Sequence, residues 1–146
     1  NWDLIKEGND YMNKAAVGNT VSTYHLEAAI AYEHCTAPTF EQTNWPQILN
    51  YYEMLCTIAY SPITEMNRAV AIMQVQGAHE ALQFLQNMAD HKKLESYYLY
   101  HSLLGEINTR LHHTMEAKQH FEKAMGLTQS DVEKKMLKVK MGALLN

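Results

Sequence analysis

The sequence predicts an all-α fold of antiparallel helical hairpins, and three observations carry that expectation. Apolar residues recur at steps of three and four, and no segment alternates with period two. Only 6 Gly and 3 Pro interrupt a chain of 146 residues that is 47% hydrophobic, which favours helices over β-structure or disorder. Leu104-Gly105 is followed by Ala117, Phe121 and Ala124, a spacing that lets two helices approach closely. Gly105 and Ala117 lack bulk, Phe121 fills the groove between the axes, and Ala124 keeps the same face small.

Each helix can be justified in turn. The first is expected over Trp2 to Ala16, broken by Val17-Gly18-Asn19-Thr20. The second starts near Thr23, carries Leu26, Ala29 and Ile30 on one face, and ends before Pro38. After a loop from Pro38 to Thr43, Asn44 caps the third, with Pro46 in its first turn and Ile48, Tyr52, Leu55 and Ala59 as its buried stripe. Ser61-Pro62 opens the fourth, lined by Met66, Ala69, Val70 and Met73 as far as Gly77. The fifth presents Ala81, Leu82, Leu85 and Met88 and closes at Asp90-His91. Tyr100, Leu103, Leu104, Ile107 and Leu111 mark the sixth, and His112-His113-Thr114 turns the chain into the seventh, with Ala117, Phe121 and Ala124. Ser130 and Glu133 form a capping box for the eighth, whose apolar face is expected at Val132, Met136, Val139 and Ala143.

A Leu-Gly pair on one helix, with Ala and Phe four apart on the next, follows the tetratricopeptide pattern of about 34 residues. It recurs weakly. Ala81, Leu85 and Met88 stand 36 residues before Ala117, Phe121 and Ala124, and Ala69 takes the place of Gly105. The economical architecture is a single domain over residues 1–146: a solenoid-like stack of about eight helices, the last covering the end of the stack.

Composition excludes several functions. No apolar run reaches about 18 residues, so no membrane span is expected. Asn1-Trp2-Asp3 begins directly in amphipathic sequence, without the pattern of a signal peptide, and the missing initiator Met points to a fragment of something longer. The net charge of −4 argues against direct nucleic-acid binding, which needs clustered Lys and Arg. Lys134, Lys135, Lys138 and Lys140 form one basic cluster, read first as a solvated face near a helix C-terminus and second as a contact for an acidic partner. Cys35 and Cys56 have the spacing of neither a zinc site nor a redox pair and read as reduced, partly buried thiols of a cytoplasmic protein.

The candidates for chemistry are few. Asn67 and Arg68 interrupt an apolar helix: as function they contact a partner or clamp a ligand, and as structure Arg68 pairs with Glu65 or Glu106 while Asn67 ties backbone groups together. Eight histidines raise the question of a metal, but neither His112, His113 and His120 nor His34, Cys35 and Cys56 has ligand spacing. No P-loop, dinucleotide fingerprint or Gly-x-Ser-x-Gly turn occurs, so neither catalysis nor a cofactor is expected. Tyr51-Tyr52 and Tyr97-Tyr98 remain. Successive helical residues diverge by about 100°, so one Tyr of each pair can be buried while the other anchors a partner.

One segment is less generic. Ser61-Pro62-Ile63-Thr64-Glu65-Met66-Asn67-Arg68-Ala69-Val70-Ala71 resembles a block in the C-terminal extension of a group of extracytoplasmic-function sigma factors of bacterial RNA polymerase. Trp2 to Gly8, Tyr24 to Ala31, Thr43 to Ile48, and Gly105 to Leu111 with Glu116, Ala117 and Ala124 resemble further blocks of that extension, in order. Asn44 stands where the family usually has Asp, which preserves a cap. The resemblance implies a tetratricopeptide-like regulatory module in a bacterial cytoplasm. It implies partners in the factor's own promoter-binding domains, which are absent from this sequence, or in core RNA polymerase. A free-standing scaffold for an unrelated peptide and a helical sensor of small molecules are the alternatives.

Overall fold

The computed structural model describes residues 22–145, so the expected first helix lies outside the described residues. Among the described residues there are seven α-helices, one 3-10 turn and no strand. They are α1 (Thr23–Thr36), α2 (Trp45–Ile58), α3 (Pro62–Gln76), α4 (Ala78–Asn87), α5 (Tyr98–Arg110), α6 (Thr114–Leu127) and α7 (Asp131–Ala143), with the 3-10 turn at His91–Leu94. The chain is therefore all-α, and these seven helices correspond to the expected second through eighth. Their packing forms two compact units, divided within α3 between Ala71 and Ile72.

In the first unit, α1 and α2 pair as a hairpin. Ser22 caps α1 by accepting from the His25 backbone N–H at 3.2 Å, and Asn44 caps α2 by accepting from that of Gln47 at 3.3 Å. Leu26 and Ile30 from α1 and Ile48, Leu49 and Leu55 from α2 are buried. The α2 stripe is rotated from the expected one: Tyr51 is buried, whereas Tyr52 and Ala59 are only half-buried. Trp45 helps set this rotation, its ring held edge-on by His34 and Phe40 at centroid distances of 5.3 and 5.4 Å. Ser61 opens α3 as expected, its Oγ accepting from the Thr64 N–H at 3.0 Å.

In the second unit, α5 packs along α6, and α6 against α7. Gly105 is where the first pair meets: a Cβ added there would lie 2.5–2.8 Å from three ring atoms of Phe121. Ala117, Phe121 and Ala124 are buried as expected, so the small residues allow the approach and the Phe fills it. Before this hairpin the chain departs from the sequence reading. α4 ends at Asn87, and the chain then forms the 3-10 turn, which buries Leu94 completely.

The turn from α5 to α6 is a Schellman closure. The His113 N–H donates to the Asn108 carbonyl at 2.8 Å and the His112 N–H to that of Thr109 at 3.1 Å. His112 takes the left-handed conformation, φ 62°, that glycine usually supplies. Below it, the buried Asn108 side chain donates from Nδ2 to the Leu104 carbonyl at 2.8 Å.

The last helix corrects two expectations. Val132, Met136 and Val139 are exposed, and the buried stripe is Leu137 with the partly buried Met141 and Leu144, set against Ala117, Phe121 and Ala124. The reason is polar. Glu133, one residue from Val132, accepts from Tyr98 Oη at 2.7 Å and from Thr128 Oγ1, which turns the Glu133–Leu137–Met141 side inward. The capping box is accordingly only half made. Ser130 Oγ accepts from the Glu133 N–H at 3.3 Å, but the Ser130 N–H is taken by Thr128 Oγ1 instead of the Glu133 carboxylate.

Candidate functional site

The sequence-predicted contact residues fall in different settings. Asn67 and Arg68 lie on α3, both half-buried. Arg68 acts on Cys56, hydrogen bonding to the thiol and opposing the burial that pushes the Cys56 pKa up. Glu106, considered as an Arg68 partner, is engaged by Lys140 at 3.4 Å. Cys35 is exposed, contrary to expectation, because it lies off the Leu26–Ile30 face of α1; Cys56 is half-buried.

Tyr51 is 2% exposed and serves as packing. Burial pushes its pKa up, a nearby Gln47 hydrogen bond opposes that, and the buried Glu33 adds to it. Burial also raises the pKa of Tyr52. Of the second pair, Tyr97 is exposed and Tyr98 is tied to Glu133. Within the first unit, Cys56 links Tyr52 and Arg68 electrostatically. Leu104, Gly105, Ala117, Phe121 and Ala124, read as structural, are all buried.

A cleft that the sequence did not disclose lies in the second unit. It has a volume of about 420 Å³ and is lined by Leu82, Leu85 and Gln86 from α4, His91 from the 3-10 turn, Tyr100, Leu104 and Asn108 from α5, His113 from the turn, and Glu116 and His120 from α6. Its walls are leucine and tyrosine, and its polar groups are dominated by imidazole.

Two of those imidazoles have their proton positions dictated by neighbours. Asn108 spends its Nδ2 on the Leu104 carbonyl, so its Oδ1, 3.2 Å from His113 Nδ1, is an acceptor and His113 Nδ1 is the donor. Neutral His113 therefore carries its lone pair on Nε2. The second case runs through His101, which is 2% exposed. Its Nε2 lies 2.9 Å from the Glu95 carbonyl, which can only accept, so that nitrogen bears the proton.

With both rings neutral, His101 Nδ1 then accepts from His120 Nδ1 at 3.2 Å, and the rings stack at a centroid distance of 5.5 Å. His120 is likewise left with its lone pair on Nε2. Burial, His101 and Lys123 together hold its pKa below the usual imidazole value, against a smaller opposing effect of Glu95. The neutral form is favoured. No sequence motif announces this arrangement, because the residues are 7 and 19 apart and owe their meeting to the α5–α6 turn.

No protein-family model matches the chain, and no solved structure does. Among curated proteins, an uncharacterized protein of Rhizobium meliloti (strain 1021) is 30% identical over 141 residues. That stretch covers 97% of this chain and 33% of the relative. The chain thus spans about a third of the length of the protein it resembles, and nearly all of it takes part in the match.

Proposed function

We propose that this chain is a tetratricopeptide-like regulatory module of an extracytoplasmic-function sigma factor, acting in the bacterial cytoplasm through protein contacts. The observation that carries the reading is the ordered series of blocks, above all Ser61 to Ala71, that resembles the C-terminal extension of those factors. Three findings support it. The Ser61-Pro62 start is a working helix cap, and Met66, Ala69 and Ala71 are buried. The close approach of Gly105 to Phe121 in the α5–α6 hairpin is what a tetratricopeptide unit would need. The match to one third of a longer relative is also what a module carried beside other domains would give.

On this reading the module replaces a separate inhibitory protein and meets the factor's own promoter-binding domains or core RNA polymerase. The residues act by shape and contact, without catalysis. The histidine-lined cleft favours a second reading, a groove that takes a ligand; it is lined by Tyr100 but not by Arg68. The gene sequence upstream of Asn1 tests the first reading. Two helical promoter-binding domains encoded there are expected, and an initiator Met immediately before Asn1 would favour a free-standing scaffold.

A further inference from the structure

We propose that the cleft bounded by α4, α5 and α6 is a binding site for an arginine side chain of a polypeptide partner. Three of its polar groups can act as acceptors. His113 and His120 each have Nδ1 committed as a donor, which leaves Nε2 as the atom each ring can offer a ligand. Glu116, on α6 between them, adds an exposed carboxylate to the same lining. No Lys or Arg lines the cleft.

The apolar wall suits the rest of such a ligand. Leu82, Leu85 and Leu104 match the methylene stem of an arginine, and Tyr100 adds an aromatic side chain to the lining. A volume of about 420 Å³ holds one long side chain together with adjoining backbone. Arginine fits better than lysine because its planar head carries five donors and is more weakly hydrated. An anion would meet the Glu116 carboxylate and imidazole lone pairs. The positive end of the α6 dipole disfavours a cation, but Glu116 in the first turn offsets it with a full charge. A metal ion is a poorer occupant, since no group of three or more His, Cys, Asp or Glu among the described residues is placed to hold one.

The site is set in advance. The Asn108 amide orients His113, and the Glu95 carbonyl orients His120 through His101. Protonation of His120 would turn an acceptor into a donor, so acid should weaken binding of the ligand. The groups facing His120 are His101 from α5, Glu95 beyond the 3-10 turn, Lys123 on α6, and His91, Tyr100 and Glu116 around the cleft. This site stands whether or not the chain belongs to a sigma factor, and its test reads the cleft directly.

The test is an NMR titration of the isotope-labelled full chain with N-acetyl-arginine methylamide near pH 7.5, following the His113 and His120 imidazoles. Saturable shifts of both rings are expected, with binding at least about fivefold weaker for the uncharged citrulline analogue. Glu116→Gln, at an exposed position, should keep the fold and weaken arginine binding by at least about fivefold, and binding by the parent should weaken as acid protonates His120. Absence of saturable shifts, equal binding of the citrulline analogue, unchanged binding by Glu116→Gln, or stronger binding at acid pH would each overturn the proposal.

Discussion

At the scale of single residues, the second unit depends on positions where the chain has no room or no ordinary backbone. Gly105 is the first. Phe121 is 1% exposed and sits within contact distance of any Cβ added at Gly105, so neither can move aside freely. Gly105→Ala should destabilise the protein by about 1–3 kcal/mol in urea unfolding despite the better helix propensity of alanine. Adding Phe121→Leu to that variant should cost less than the separate effects summed; strict additivity would contradict the contact. This pair was legible in the sequence, because small and large residues at helical spacing state their own packing.

His112 was not legible. Nothing in His112-His113-Thr114 declares which residue becomes left-handed, and the choice is fixed by the two backbone bonds that close α5. His112→Gly is expected to stabilise the chain by about 0.5–1 kcal/mol, read as a higher urea midpoint, since glycine takes this conformation without a Cβ penalty. An unchanged or lower midpoint would contradict that description of the turn.

At the scale of elements, the helices from Thr23 onward were legible in the sequence and helix rotation was not. α7 carries two adjacent apolar stripes, one through Val132, Met136 and Val139 and one through Leu137, Met141 and Leu144. Periodicity alone cannot rank them. The Glu133 bonds to Tyr98 and Thr128 decide, and they join residues that only the fold brings together. Those two donors hold the Glu133 carboxyl below its ordinary value of 4.5. A depressed carboxyl contributes stability above its unfolded value and loses it as the pH falls through the folded one. In Tyr98→Phe, the Glu133 titration followed by carboxyl carbon NMR should therefore move up toward 4.5, with less of the stability lost in acid. Identical titrations in parent and variant would contradict the role given to Tyr98.

For the whole molecule, the all-α class followed from composition and period, whereas the cleft did not follow from either. Its histidines gain their orientation from Asn108, His101 and a backbone carbonyl at Glu95, partners without sequence signature. Because His120 is held below its ordinary 6.5, it adds stability that is complete above that value and declines as the pH drops beneath it. The functional reading rests on the block from Ser61 to Ala71, which the structure places at the start of α3.

The central proposal is that this chain is a module that governs a sigma factor. Its most direct test is transcription in vitro by RNA polymerase with the full-length gene product and with the same product cut before Asn1. A several-fold change in transcription from the factor's own promoters is the expected result. Equal transcription by the two forms under every inducing condition would contradict it.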